Sequence, residues 1–350
     1  MPSIWNPPRS RSLLQAIVPV FVLAVSISLP AQASSTQDPS AKNTQKTRIV
    51  KRQNLQPVTY ANRAASGGQI RVGIRHASQN DIVVQRASIE PSRIQPLTDQ
   101  ADLRSEIAFV QDLESADVLY DKNSDEVRPI ASITKLMTAL VVAEAGLPQD
   151  EILKISDADV DRLRHSRSRL RVGTELSRAD MLHLALMSSE NRAAHALGRY
   201  YPGGMPAFVR AMNDKARALG MRNTRFVEPT GLSSDNVSTP RDLVKLLKAT
   251  SQEPLIHRYT TDDRYEVTVG RGRQLVFNNT NRLVKNSKWD IKVSKTGFIN
   301  EAGECLVMLT RIDQRDVAIV LLNSTGRYSR IGDAVRIRTL VENDNSLAML

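Results

Sequence analysis

Cysteine is nearly absent from this chain, which has a single one, Cys305, among 350 residues. One thiol cannot form an intramolecular disulfide, so the class of small proteins held together by disulfides is excluded. Cys305 begins the apolar run Cys305–Leu309. This pattern predicts a small apolar side chain in a buried strand rather than a reactive thiol.

Metal-ligand patterns and aromatic residues are also scarce. The five histidines show no His-Glu-x-x-His or Cys/His spacing, so the sequence suggests no metal site, and we expect no cofactor. Aromatic residues make up only 4% of the chain. Because proteins bind single-stranded nucleic acid by stacking bases on aromatic rings, this scarcity argues against nucleic acid as a partner.

Long apolar runs are missing from the chain except at its beginning, where Leu13–Leu29 is mostly apolar. Arg9 and Arg11 precede this run, and Ala31-Gln32-Ala33 follows it with the small-x-small pattern of a cleavage site. We therefore predict a signal peptide over residues 1–33 and export to the periplasm. An uncleaved N-terminal anchor is the alternative. For the rest of the chain we expect at most peripheral contact with the membrane.

The net charge of +11 is unevenly distributed. Residues 34–100 carry 10 Lys+Arg against 4 Asp+Glu, whereas residues 101–350 carry 36 against 33. The first of these segments is also rich in Ser, Thr, Gln and Asn, with little to bury. We predict a basic, largely disordered arm over residues 34–101, of the kind that contacts an anionic polymer or surface.

The order of apolar segments predicts the fold class. A β-hairpin is expected over residues 107–120, and further strands are expected at 265–269, 291–295, 304–310 and 317–322. Helices are expected at 132–145, 177–187, 190–199, 205–219, 238–250 and 327–341. We therefore predict an α+β fold in which helices cover an antiparallel sheet, with the first and last strands side by side.

Ser132 and Lys135 form the first candidate for chemistry. The spacing of three places both side chains on one face at the beginning of a helix that is apolar nearly all round. A serine hydroxyl becomes a strong nucleophile only when a base removes its proton, and a buried lysine with a lowered pKa can be that base. An ordinary capping serine beside a solvent-facing lysine is the alternative.

Two further motifs accompany this pair. Lys295-Thr296-Gly297 is expected near the end of a strand, where a glycine permits close approach of another backbone. Ser189-Glu190-Asn191 lies in a break between two helices. Ser234-Asp235-Asn236 offers the same residue types, but we interpret it as turn chemistry in a polar loop and prefer Ser189, which two apolar helices support.

These motifs, in this order, resemble the signature of the penicillin-binding-protein and serine β-lactamase superfamily: Ser-x-x-Lys, Ser-x-Asn and Lys-Thr-Gly. The surroundings Ser188–Ala194, Glu228–Leu232 and Lys295–Phe298 are most similar to the S11 family of D-alanyl-D-alanine peptidases. Within it, the sequence is closest to the D-alanyl-D-alanine endopeptidases of the penicillin-binding protein 7 type. The resemblance implies the transpeptidase fold of that superfamily, with a mainly helical subdomain. We place the catalytic domain at residues 102–342 and a tail at 343–350.

The resemblance also implies roles for the motif residues. Ser132 would form the acyl-enzyme, Lys135 would be its base, Ser189 would relay a proton, and Lys295 would keep the network cationic. Substrate binding would fall to Asn191, Thr296, Gly297 and Phe298, and the backbone N–H groups of Ser132 and Phe298 would form the oxyanion hole.

The implied substrate is peptidoglycan, with β-lactams as covalent inhibitors. We expect an endopeptidase that cuts D-Ala–diamino-acid cross-links, because only about fifty residues follow Gly297, too few for the additional β-rich domain of many S11 carboxypeptidases. A D-alanyl-D-alanine carboxypeptidase is the main alternative. A β-lactamase or a non-catalytic wall-binding protein is a weaker one.

Overall fold

The computed structural model describes residues 102–326 and 328–348, with side chains described as far as Asn343. The predicted signal peptide (1–33) and arm (34–101) lie outside the described residues and stay predictions. The strands are β1 (Ser105–Asp112), β2 (Val118–Lys122), β3 (Arg128–Pro129), β4 (Ile152–Lys154), β5 (Glu175–Ser177), β6 (Val237–Ser238), β7 (Arg264–Val269), β8 (Arg273–Asn278), β9 (Asp290–Ile299), β10 (Gly303–Ile312) and β11 (Arg315–Ser324). The helices are α1 (Thr134–Glu144), α2 (Arg178–Met187), α3 (Asn191–Arg199), α4 (Gly204–Ala218), α5 (Pro240–Thr250), α6 (Pro254–Thr261) and α7 (Ser329–Ala348).

Five strands form the central antiparallel sheet in the order β2-β1-β11-β10-β9. The first long strand therefore pairs with the last one, with Phe109 opposite Val320, which confirms the expected closure across the chain ends. Strand β9 occupies one edge of this sheet. The remaining short strands pair as β3 with β6, β4 with β5, and β7 with β8.

Alternation along the strands separates two apolar layers. In β1, Ile107 and Phe109 face the layer that contains most of the helices, whereas Ala108 and Val110 face the opposite layer. Helix α7 covers that second layer with Ala334, Ile337 and Val341, and it contacts β10, β11 and β1. The period-two pattern of the sequence thus produces a sheet covered on both faces, which confirms the α+β prediction.

Helix α1 lies inside the helical layer and contacts α2, α3, α4, α5 and α6. Nine of its eleven residues are buried, including the polar Thr134, Lys135 and Thr138. This arrangement confirms the buried central helix expected from a segment that is apolar on every side. It also explains why a lysine within it has no route to solvent.

Local signals placed other helix boundaries correctly. The Ser177 side chain accepts a hydrogen bond from the backbone N–H of Asp180, and the Asp180 carboxylate accepts one from the N–H of Ser177, so the predicted capping box is present. Thr239 caps α5, and Pro240 occupies its first turn.

Some expectations were wrong. Helix α6 and strand β8 were not predicted. Helix α6 gave no clear pattern because it is short and only Ile256, Tyr259 and Thr260 are buried in it. The sequence pattern of α7 predicts a mainly apolar stripe of Ile331, Ala334, Val335, Arg338 and Val341, but Val335 is 46% exposed and Ile337 is buried in its place. The helix continues to Ala348, past the expected end at Val341. Among residues 102–326 and 328–348, no helix is long and apolar enough to cross a membrane.

Candidate active site

Ser132 lies in a short 3-10 turn, Ala131–Ile133, which leads directly into α1. Ala131 adopts a left-handed backbone conformation with φ of 47°, uncommon for a residue with a side chain. Two glycines hold this turn from either side. A Cβ on Gly231 would lie 1.9 Å from the carbonyl oxygen of Ala131, and one on Gly297 would lie 3.1 Å from the nitrogen of Ser132. The backbone at Ser132 is therefore fixed by packing that only glycine permits at positions 231 and 297.

Lys135 lies directly beneath Ser132 and is completely buried. Its Nζ donates hydrogen bonds to Ser132 Oγ at 2.9 Å, to Asn191 Oδ1 at 2.8 Å and to the Thr230 carbonyl at 2.5 Å. Burial lowers the pKa of Lys135 to about 8, although the carboxylates of Glu228 and Glu190 act in the opposite direction. A lysine with this pKa exchanges a proton with a neighbouring hydroxyl near neutral pH far more readily than an exposed one.

Ser189 and Lys295 form the second polar pair. Ser189 stands between α2 and α3 with φ of 61°, a second left-handed residue in the site. Lys295 on β9 is buried, and its Nζ donates to Ser189 Oγ at 2.9 Å and to the carbonyl of Thr296 at 3.0 Å. Burial, together with the charge of Lys135, holds the pKa of Lys295 well below its usual range. This shift works against the expectation that Lys295 keeps the network cationic.

Asn191 begins α3 and joins the two sides of the cleft. Its Oδ1 accepts from Lys135, and its Nδ2 donates to Ser166 Oγ at 2.9 Å. Thr296 lies on β9 next to Lys295, and its hydroxyl donates to Thr280 Oγ1 at 2.7 Å. Both residues therefore have fixed orientations before any ligand is bound.

These side chains meet at a cleft of about 660 Å³ along strand β9. The residues expected at the site that line it are Ser132, Ser189, Asn191, Thr296, Gly297 and Phe298. Lys135 and Lys295 lie underneath. The side chain of Phe298 is 57% exposed at the rim. The Lys-Thr-Gly motif lies near the end of its strand, as predicted, and β9 continues two residues past it to Ile299. An extended ligand would therefore meet a continuous strand edge, as in β-augmentation.

The rival motif has a different place. None of Ser234, Asp235 and Asn236 lines the cleft. Asn236 is buried, its Oδ1 accepts from the N–H of Val227 at 2.7 Å, and its Nδ2 donates to the carboxylate of Glu228 at 2.8 Å. This asparagine builds the turn at Glu228 and is not presented to a ligand.

Two functional features were missed from the sequence. One is the turn whose Thr230 carbonyl faces Lys135: the Glu228 carboxylate accepts from the backbone N–H groups of Thr230 and Gly231, both at 2.6 Å, and so holds that carbonyl in place. The other is Arg330 in the first turn of α7. It lines the cleft, donates to the Gly297 carbonyl at 2.9 Å and pairs with Glu304. No local pattern marks Arg330, because its position depends on how α7 packs against β10 and β11 of the sheet.

A family profile described as D-alanyl-D-alanine carboxypeptidase of the S11 peptidases matches residues 94–326, which is two thirds of the chain. This chain belongs to the S11 peptidase family. The S11 assignment made from three short motifs is thereby confirmed, and the enzyme is a D-alanyl-D-alanine peptidase.

Individual relatives of this S11 peptidase agree with the assignment. A D-alanyl-D-alanine endopeptidase of Pseudomonas aeruginosa is 51% identical over 264 residues, which cover 75% of this chain and 84% of the relative. One from Escherichia coli is 51% identical over 244 residues, 69% of this chain and 79% of the relative. The D-alanyl-D-alanine carboxypeptidase DacF of Bacillus subtilis is 32% identical, covering 62% of this chain and 57% of the relative.

Solved structures support the predicted fold. The crystal structure of the Streptomyces K15 DD-transpeptidase matches this S11 peptidase with a TM-score of 0.64 and 28% identity, covering 69% of this chain and 98% of that one. Penicillin-binding protein D2 of Listeria monocytogenes, in an ampicillin-bound form, matches with a TM-score of 0.59 and 32% identity, covering 70% and 99%. The predicted transpeptidase fold is confirmed.

Proposed function

We propose that this S11 peptidase hydrolyses the D-Ala–diamino-acid cross-links of peptidoglycan through an acyl-enzyme on Ser132. The observation that carries the proposal is the hydrogen bond from Lys135 Nζ to Ser132 Oγ, 2.9 Å long, at the floor of an open cleft. The choice of endopeptidase rests on the two relatives of that name at 51% identity.

In the acylation step, neutral Lys135 accepts the proton of Ser132 while Oγ attacks the D-alanyl carbonyl carbon. The backbone N–H groups of Ser132 and Phe298 stabilise the resulting oxyanion, a contribution of about 3–4 kcal/mol per donor in other serine hydrolases. The amide bond then breaks, and the leaving amine takes its proton through Ser189. Water releases the acyl group and restores the free serine.

Lys295 serves this step chiefly by position. Its Nζ holds Ser189 Oγ at 2.9 Å, and burial lowers its pKa, which makes its proton easier to lose than that of an exposed lysine. On the substrate side, Asn191 binds the peptide, and Thr296 binds the carbonyl or carboxylate on the leaving side. Arg330, whose guanidinium contacts the Gly297 carbonyl, adds a positive charge to the same wall.

A D-alanyl-D-alanine carboxypeptidase is the second candidate, since S11 relatives with that name share about one third of their residues with this chain. A β-lactamase is less well supported. The Glu228 carboxylate is engaged by the backbone of its own turn, so it is not free to activate a hydrolytic water. β-Lactams would therefore acylate Ser132 and leave slowly.

We place the enzyme in the periplasm, delivered there by the signal peptide over residues 1–33. The basic arm over residues 34–101 would hold it near the anionic wall. The proposal requires no cofactor or metal, and no nucleic acid partner.

Muropeptide analysis of cross-linked wall tests the proposal. Wild-type enzyme should convert cross-linked dimers into monomers, whereas Ser132→Ala should leave them intact and fail to bind a fluorescent penicillin. Ser234→Ala is the matched serine control from the rival motif and should behave as wild type. Conversion of pentapeptides to tetrapeptides with dimers untouched would identify a carboxypeptidase. Rapid turnover of the penicillin would identify a β-lactamase.

A further inference from the structure

An arginine-rich segment, residues 161–171, borders the active-site cleft. Its residues alternate between the two sides: Arg164, Ser166, Ser168 and Leu170 are half-buried or buried, whereas the residues between them are exposed. The inward side is held firmly. Ser168 donates to Glu190, and Ser166 accepts from Asn191 of the catalytic network. Arg164 donates to the Leu232 carbonyl at 2.5 Å. The segment is thus a fixed wall of the cleft.

The outward side of the same segment carries Arg167, Arg169 and Arg171, all exposed. Arg169 fastens the segment to the β7–β8 hairpin, since its guanidinium lies 3.7 Å from the centre of the Phe277 ring and donates to the Val276 carbonyl. The row of arginines on the outward side of the segment therefore reaches the hairpin.

At the end of the row, the turn after Arg171 and the tip of the hairpin enclose a groove of about 450 Å³. Three arginines line it, Arg171, Arg271 and Arg273, which we call the groove arginines. All three are exposed, and within the part of the chain that the structure describes none of them forms an ion pair with a carboxylate. Twelve arginines elsewhere in the described chain have such a partner. Three cations without a carboxylate partner around one groove create a positive potential that attracts an anion.

We infer that the groove arginines bind the free carboxylates of a peptidoglycan stem peptide beside the one being cleaved, an inference that rests on the proposed function. The planar guanidinium matches a carboxylate with two parallel hydrogen bonds. Leu163 and Ser166 of the segment line the cleft, and Arg171 at its far end lines the groove, so one rigid segment of eleven residues joins the two sites. A cross-linked polymer with one stem peptide in the cleft has neighbouring stem peptides available to reach the groove. The Phe277 ring is buried beneath Arg169, and none of the described residues that line the groove is aromatic, so these residues offer no ring on which nucleic acid bases would stack.

The experiment compares a groove variant, in which Arg171, Arg271 and Arg273 are all changed to Gln, with full-length wild type. The matched control changes Arg210, Arg222 and Lys248 to Gln, since these are exposed cations that line neither cleft nor groove. Three assays are used: pelleting with intact sacculi at several salt concentrations, cleavage of a soluble cross-linked muropeptide dimer, and acylation by fluorescent penicillin. Sacculi whose carboxylates have been converted to neutral amides serve as the second probe.

The groove variant should bind sacculi about tenfold more weakly at low salt, with a shallower salt dependence, because exposed arginine–carboxylate pairs are individually weak and salt-sensitive. Wild type should bind amidated sacculi more weakly than untreated sacculi. On amidated sacculi, wild type and groove variant should bind equally. Dimer cleavage and penicillin acylation by the groove variant should equal those of wild type. If the proposed function itself were wrong, wild-type enzyme would fail to cleave the dimer, so the two failures are distinguishable.

Three results would overturn the inference. One is undiminished binding of sacculi by the groove variant. Another is an equal loss in the control variant, which would show a general effect of net charge. The third is a groove effect that persists on amidated sacculi, or that is seen with single-stranded DNA and not with sacculi.

Discussion

Gly231→Ala should disable acylation although residue 231 carries no chemistry of its own. Gly231 has φ of 80°, and a Cβ there would lie 1.9 Å from the carbonyl oxygen and 2.8 Å from the nitrogen of the turn that presents Ser132. Ordinary contact begins near 3.4 Å, so the two backbones must separate by about 1.5 Å. That displacement moves the nucleophile relative to Lys135 and Asn191.

The size of the effect follows from this geometry. A side chain in the left-handed region costs about 1–2 kcal/mol before any clash is counted. A misplacement of about 1 Å in an active site costs about 100-fold in rate. We therefore expect acylation by fluorescent penicillin to slow by at least about 100-fold, with a lowered melting temperature. Stopped-time labelling on gels measures the first quantity, and thermal denaturation measures the second.

Gly146→Ala is the matched control. Gly146 also has positive φ, 60°, but a Cβ there would meet nothing within 4 Å. This variant should lose about 1 kcal/mol of stability from backbone strain alone and acylate at the wild-type rate. The reasoning fails if folded Gly231→Ala acylates within a few-fold of wild type, or if Gly146→Ala is impaired to the same degree.

Two further predictions concern the base and the sheet. In the proposed mechanism neutral Lys135 is the active form, and burial lowers its pKa to about 8, so the acylation rate should rise as the pH increases through about 8. A stopped-flow profile that is flat from pH 6 to 10 would contradict this. Asp333 is buried and accepts from the backbone N–H and hydroxyl of Ser105 at 2.7 and 2.6 Å, so Asp333→Ala should cost about 2–3 kcal/mol and lower the melting temperature by about 5–10 °C, with acylation unchanged below the transition. A melting temperature equal to that of wild type would refute the second.

Local chemistry accounts for the features that were predicted well. The capping box at Ser177 and Asp180 needs only four consecutive residues, and Pro240 sets the first turn of α5 by its own ring. The burial of α1 follows from apolar residues on every side of one segment. Such signals are complete within a few residues, so the chain order alone reveals them.

The same holds for part of the site. The spacing of Ser132 and Lys135 already places both on one helix face, and the three motifs together identified the family. The choice of Ser189 over Ser234 agrees with the geometry of the cleft, because Ser189 lines it and Ser234 does not.

Contacts between distant segments were decided only by the tertiary structure. The Thr230 carbonyl that faces Lys135 lies 95 residues further along the chain, and Arg330 reaches Gly297 across 33 residues. The continuation of β9 past Gly297 depends on its pairing with β10, which extends to Ile299.

The sequence by itself therefore determined where α2 and α5 begin, the burial of the central helix, the placement of Ser132 and Lys135 on one helix face, and the family, since each depends on residue type and short spacing. Only the tertiary structure decided how the backbone around Ser132 is clamped between Gly231 and Gly297, how burial moves the two lysine pKa values, and where unpaired arginines gather. Packing density, desolvation and electrostatic neighbours depend on which distant segments of the chain lie close together, and no local sequence pattern specifies them.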